Sequence, residues 1–235
     1  MTKNQKKAIV LSSGGLDSTT CLSIAVDKYG KDNVSTLSIY YGQKHDKELK
    51  CAQAVANHYG VAHYVKDIST VMDMSDCALL KTGTKEIKHE SYVEQIKEDE
   101  IVSTYVPFRN GLLLSCATAI AVSIYPDDEV EIYYGAHADD YAGNAYADCS
   151  PEFAAAMNEA INKGSYGRVN VVAPLINDNK AGVVSIGKKL GTPYHLTWSC
   201  YEGEEKACGT CGTCIDRLEA FRLNNMEDPI EYERR

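Results

Sequence analysis

Four consecutive apolar residues, Ala8-Ile9-Val10-Leu11, run straight into Ser12-Ser13-Gly14-Gly15. Apolar positions then recur at helical spacing over residues 18–29 until Gly30 ends them. A strand, a glycine turn and a helix in that order call for a right-handed crossover to a parallel neighbour. The order then repeats. Residues 34–41 read as a strand, 46–59 as a helix closed by Gly60, and 61–68 as a third strand. An apolar helix over 109–124, a strand over 130–134, a helix over 151–163, a strand over 169–173 and a helix over 180–190 complete the series. The predicted architecture is an α/β fold, doubly wound, with a mainly parallel five-stranded sheet covered by helices on both faces. Between residues 72 and 101 the pattern gives way to a polar, Lys- and Glu-rich segment. Its plainest reading is a solvated surface loop, and its functional one a flap over the strand ends.

With 235 residues the chain can bury a full core, so it needs no metal or disulfide merely to be stable. Thirty-three acidic residues against 24 basic ones give a net charge of −9, which disfavours a broad nucleic-acid footprint and favours a small substrate. The apolar run 8–11 is too short for the core of an export signal. The longest greasy stretch, 111–125, is broken by Ser115, Thr118 and Ser123 and falls short of the ~20 residues of a membrane helix. A cytoplasmic protein is expected, and a reducing compartment leaves burial, catalysis or metal binding as the uses of its nine cysteines.

Ser13-Gly14-Gly15-Leu16-Asp17-Ser18 lies where parallel sheets bind ligands, between the first strand and its helix. The paired glycines let backbone N–H groups approach an anion, and the helix N-terminus adds positive potential. Residues Ser12, Ser13, Gly14, Gly15, Leu16, Asp17, Ser18 and Thr19 are the expected phosphate cradle. Asp17 would brace the loop or reach magnesium through water. The lysine of the Walker loop and the spacing of the dinucleotide fingerprint are both absent from it. A capped tight turn is the purely structural alternative.

Cys200-x7-Cys208-x2-Cys211-x2-Cys214 supplies four soft ligands, with Gly209 and Gly212 freeing the backbone between them. A closed four-thiolate tetrahedron suits one structural Zn2+, while an iron–sulfur cluster and redox thiols remain open alternatives. The expected division is a catalytic unit over 1–195 and a metal-holding segment over 196–235. Cys21 and Cys116 sit on apolar helix faces and read as core. Cys149 has no assignable base and reads as a buried thiol rather than a nucleophile.

The SGGLDS loop resembles that of the PP-loop ATP pyrophosphatases, which cleave ATP between its α- and β-phosphates and transfer AMP to an oxygen of the substrate. Four further segments narrow the likeness: Tyr41-Gly42-Gln43-Lys44-His45, Thr104-Tyr105-Val106-Pro107-Phe108-Arg109-Asn110, Asp148-Cys149-Ser150-Pro151-Glu152-Phe153 and Thr197-Trp198-Ser199-Cys200-Tyr201. With the cysteine cluster they resemble the 7-cyano-7-deazaguanine synthase family in the right order, from about residue 8 to 221. That resemblance implies 7-carboxy-7-deazaguanine as substrate, ammonia as nitrogen donor, ATP with Mg2+, a nitrile product and a homodimer.

It also suggests roles. Asp17, Arg109 and Lys180 are candidate catalytic residues, the last two for holding phosphate or carboxylate oxygens. Gln43, His45, Asp140 and Asp148 are candidates on the substrate side, the aspartates as acceptors for the N–H groups of a guanine-like base. The bland alternatives are a surface arginine, a solvated lysine, a structural histidine and loop-capping aspartates. The run 136–147 is longer than the usual family pattern, and Ser150 and Lys44 stand where arginine is frequent. Three other functions compete: a tRNA thiolase, which the acidic charge disfavours, an amidotransferase-type synthetase, and a non-catalytic zinc-ribbon module.

Overall fold

A computed structural model describes residues 6–44, 47–87, 102–142, 145–203 and 205–233. Five strands, β1 (Lys6–Leu11), β2 (Val34–Tyr40), β3 (Ala62–Asp67), β4 (Glu129–Tyr133) and β5 (Val169–Val172), form one parallel sheet in the order β3-β2-β1-β4-β5. The chain builds outward from β1 in one direction, then returns and builds in the other. β1 is therefore central and buried on both faces, which is why it reads as an unbroken apolar run. Ala8 and Val10 join one core, whereas Ile9 and Leu11 join the other.

Among the described residues the α-helices are α1 (Leu16–Tyr29), α2 (Lys47–Tyr59), α3 (Arg109–Ile124), a single turn α4 (Ala138–Tyr141), α5 (Pro151–Gly164), α6 (Lys180–Leu190) and α7 (Gly212–Leu223). The first core takes Leu22 of α1, Val55 of α2, Val183 of α6 and Phe221 of α7. The second takes Leu114 and Ala117 of α3 and Ile161 of α5. α5 starts as its sequence dictates, with the Ser150 hydroxyl accepting from Phe153 N–H and Pro151 in the first turn. α6 has Asn179 as its cap at one end and Gly191 at φ 67° at the other.

Two features depart from expectation. α7 does not stand out in the sequence because its inward face carries Cys214 and Arg217 beside Ala220 and Phe221, so no apolar stripe marks it. The described part of the polar segment, residues 72–87, is not simply solvated. Its Cys77 and Leu80 pack with Met72 against Tyr41 and Val106 in a small core of their own, and Leu80 bridges to Gln43. Residues 88–101 lie outside the described ones.

Candidate active site

The strand order reverses between β1 and β4, and a crevice opens at such a point beyond the carboxyl ends of the strands. Ser12 just past β1 and Gly135 just past β4 both line the cavity found there. A Cβ on Gly135 would lie 3.1 Å from the Asp17 backbone, so a bare glycine lets the end of β4 meet the start of α1.

Of the expected phosphate cradle, Ser12, Ser13, Gly15, Asp17 and Ser18 line this cavity. The loop braces itself: Ser13 N–H donates to Ser18 Oγ at 3.2 Å, the two hydroxyl oxygens are 3.1 Å apart, and Ser18 Oγ–H donates to Gly15 C=O at 3.2 Å. Three members of the cradle are placed otherwise. Gly14, at φ 82°, faces α2: a Cβ there would lie 2.1 Å from the Glu48 carbonyl oxygen, so this glycine serves loop-to-helix packing. The Leu16 side chain belongs to the first core, and Thr19 is fully buried within α1.

Asp17 and Lys180, far apart in sequence, meet at the cavity floor. Lys180 Nζ donates to Asp17 Oδ2 at 2.7 Å and lies 2.8 Å from His137 Nε2, which is 3.2 Å from Asp140 Oδ1. Burial alone would raise the Asp17 carboxyl, but Lys180 and, less strongly, His137 hold it below its ordinary value. Burial would likewise lower Lys180, and Asp17 with Asp140 keeps it above the usual lysine range. For Asp140 burial wins over His137 and Lys180, and its carboxyl is raised.

The opposite wall is built around Arg109. Phe108 turns the chain into α3 at φ 53°, its ring folded over Gly111, where a Cβ would lie 2.4 Å from the ring. Arg109 then reaches the cavity, donates from Nη1 to Tyr41 OH at 3.3 Å and stacks 5.7 Å from the centre of that ring. Gln43 also lines the cavity, with its Oε1 accepting from Tyr41 N–H at 2.9 Å as a brace for the turn after β2. His45 lies outside the described residues.

Asp148 is placed away from the cavity. Its Oδ2 accepts from Asn110 N–H at 2.8 Å, so this buried carboxylate satisfies the start of α3, which is the capping role rather than the base-binding one. Cys149 does line the cavity, and burial pushes its thiol up, away from the thiolate a nucleophile needs.

Several cavity residues are given no role by the sequence: His137, Glu48, Tyr134, Trp198 and Asp216. For His137 a position two residues past a glycine at a strand's carboxyl end was the available clue. Ser12, Asp17, Tyr134 and His137 each present a buried polar atom with no hydrogen-bond partner among the described residues. An unpaired buried polar group costs about 1–3 kcal/mol, so four around one cavity mark a surface built for a polar ligand. Asp17 Oδ1 is one of them, and with Asp140 close by it offers the oxygen donors a hard divalent cation takes.

The four cysteines come together beside this cavity, their sulfurs all within 4.8 Å of one another. Cys200 Sγ accepts N–H groups from Glu202, Gly203 and Cys208 at 3.1–3.4 Å, and Cys208 Sγ accepts from Thr210 and Cys211 at 3.3–3.4 Å. Amide donors aimed at sulfur favour thiolates, so the donor set fits a tetrahedral metal with no open position. The segment also holds the phosphate loop, because Trp198 N–H donates to Gly14 C=O at 2.9 Å.

Residues 7–225 match the family model described as Queuosine biosynthesis protein QueC. 7-cyano-7-deazaguanine synthase 2 from Colwellia psychrerythraea is 43% identical over 227 residues, spanning 97% of this chain and 99% of that one. A 7-cyano-7-deazaguanine synthase from Archaeoglobus fulgidus is 42% identical over 225 residues, spanning 95% and 89%. Among solved structures, the U34-tRNA thiolase NcsA from Methanococcus maripaludis superposes with a TM-score of 0.50 at 17% identity, covering 94% of this chain and 65% of that one. That likeness is one of fold. On the family match and the near-complete overlap with these relatives, the chain belongs to the QueC family of 7-cyano-7-deazaguanine synthases.

Proposed function

We propose that this protein converts 7-carboxy-7-deazaguanine and ammonia to 7-cyano-7-deazaguanine at the expense of ATP, in the making of the queuosine precursor. A carboxylate is a poor electrophile, so its oxygen first attacks the α-phosphorus of ATP and pyrophosphate departs. Ammonia then displaces AMP to give the amide. A second ATP activates the amide oxygen, and loss of AMP with a proton leaves the nitrile. The observation that carries this reading is the set of unpartnered buried polar atoms on Ser12, Asp17, Tyr134 and His137 around the Lys180 cluster.

The loop from Ser12 to Ser18 holds the departing pyrophosphate through N–H groups and the positive end of α1. Lys180 steadies the transferring phosphate oxygens, and Arg109 holds the substrate carboxylate with its planar donor fork. Asp140 accepts N–H groups of the base, while Gln43 lines the path of the nucleotide or of ammonia. Mg2+ at Asp17, when bound, neutralises phosphate charge. One Zn2+ at the four cysteines is structural, fastening the segment 196–235 to the catalytic unit 1–195. Homodimerisation follows the family resemblance. No described helix is long and apolar enough to cross a membrane, and a cytosolic setting keeps the thiols reduced.

The test is to incubate protein carrying stoichiometric zinc with ATP, Mg2+, ammonium and 7-carboxy-7-deazaguanine, and to follow small molecules by mass spectrometry. Nitrile, AMP and pyrophosphate together are expected. Pyrophosphate released only when tRNA or another carboxylate is supplied would discard the deazaguanine substrate.

A further inference from the structure

Glu48 stands in the first turn of α2, partly buried, and lines the cavity with Arg109 and Tyr41. Its backbone oxygen lies against Gly14, which puts this residue beside the loop that grips phosphate. The activation steps proposed above assign no role to a carboxylate at this wall. Other cavity carboxylates are engaged: Asp17 with Lys180 Nζ, Asp140 with His137, and Asp139 with the Lys180 N–H at 2.7 Å. Asp216 faces Lys180. Among the described residues no hydrogen bond or ion pair engages the Glu48 side chain.

The amidation proposed above, on which this inference rests, has an unmet need at this wall. At neutral pH the nitrogen donor arrives mainly as ammonium, whose lone pair is blocked by a proton. We propose that Glu48 is the catalytic base that takes this proton inside the cavity. The carboxylate becomes a carboxylic acid and ammonium becomes ammonia. Attack forms the C–N bond and breaks the C–O bond to the adenylate, whose oxygen leaves with the electron pair as AMP. The surplus proton of the adduct passes to water, as does the one on Glu48 before the next turnover.

The surroundings suit that task. Burial pushes the Glu48 carboxyl up to about 7, and the nearby Arg109 guanidinium lowers it less than burial raises it. The titratable and charged groups facing it are Arg109 from α3, Tyr41 just past β2 and Cys51 from its own helix, with Lys44 also lining the cavity. Ammonium entering on this side meets a carboxylate whose backbone packs against Gly14 of the phosphate loop.

The test is Glu48→Gln, which keeps shape but cannot take a proton, with Glu48→Asp as the conservative variant. Substrate-dependent ATP–pyrophosphate exchange without ammonium reports activation alone, and it is expected within about threefold of wild type. Ammonium-dependent amide formation near pH 7 is expected to fall by about 10²–10³-fold, and to recover as free ammonia rises with pH. Hydroxylamine, largely neutral near pH 7, needs no such base, so hydroxamate formation should survive in Glu48→Gln. Glu48→Asp should regain part of the ammonium rate. Wild-type ammonium kinetics in Glu48→Gln would overturn the proposal, and so would an equal loss of exchange, ammonium and hydroxylamine reactions. If the wild type itself shows no carboxylate-dependent exchange, it is the amidation reading that fails, and the role of Glu48 goes with it.

Discussion

Arg217–Asp228 and Lys180–Asp17 are ion pairs of the same length, 2.7 Å, in the same protein, yet they are completed in opposite ways. Arg217 and Asp228 are 1% and 0% exposed at their side chains. The guanidinium donates from Nε and Nη2 to Asp228, from Nη1 to Thr197 and Ser199 hydroxyls, and from Nη2 to Tyr194 C=O. Asp228 further accepts from Tyr232 OH and Ile230 N–H. Lys180 and Asp17 are 14% and 24% exposed, and Asp17 Oδ1 and His137 Nδ1 beside them have no hydrogen-bond partner among the described residues. One cluster closes on itself and pins the chain after α7 beneath the cysteine segment. The other leaves polar atoms without hydrogen bonds, and a cation, on the lining of a cavity.

The larger expected effect breaks the closed cluster. Arg217→Met strands a buried carboxylate, which costs about 3–5 kcal/mol. At about 2–4 °C per kcal/mol for a chain of this size, the melting temperature should drop by roughly 6–20 °C. Catalysis measured well below the transition should stay within several-fold of wild type. A drop of less than about 2 °C would mean that the network's many bonds do not add up to stability.

The open cluster should respond in reverse. Lys180→Met is expected to slow substrate-dependent pyrophosphate release by about 10²–10³-fold, the scale seen when one transition-state donor is lost. Its melting temperature should move by no more than about 2–4 °C, because the pair is part-solvated and its partners already carry unmet bonds. If Lys180→Met melts as early as Arg217→Met while turnover holds, the two pairs are of one kind and the contrast is lost.

Sequence exposes one of these clusters far better than the other. The Lys180 side was legible in part, since SGGLDS sits after a doubly buried strand and Lys180 opens a helix whose Asn179 and Gly191 ends announce it. The Arg217 side was not, because a buried guanidinium and a thiol on the inner face of α7 look polar and hide the helix. His137 and Glu48 were missed for another reason. Their meeting with the loop depends on the pairing of β1 with β4, which sets Val10 beside Tyr133, and on the packing of α2 under Gly14. No local spacing encodes either contact. The direction in which Gly14 faces was equally hidden, and although capping was one reading of Asp148, its partner at the start of α3 was not legible.

The smallest effect separates the Lys180 pair from Glu48 by pH. The Asp17 carboxyl is lowered from 3.8, so its stabilisation is present above that value and lost as pH falls through the folded one. Lys180 is raised from 10.5, so its share is present below 10.5 and lost only above its folded value. Across about pH 5 to 9 this pair therefore contributes a constant amount. Glu48 is raised from 4.5 to about 7, which reverses the usual carboxylate sign: the folded protein keeps a proton that the unfolded chain has released. Stability tied to Glu48 is present below 4.5 and lost as pH rises through 7. Discounted for its partial exposure, the loss should be roughly 1–2 kcal/mol. Glu48→Gln should thus melt later than wild type at pH 8 by a few degrees, with the gap closing toward pH 5, whereas Lys180→Met should show a gap independent of pH. Parallel melting curves for wild type and Glu48→Gln would mean that the carboxylate is already solvated, and would leave the nitrogen donor without its base.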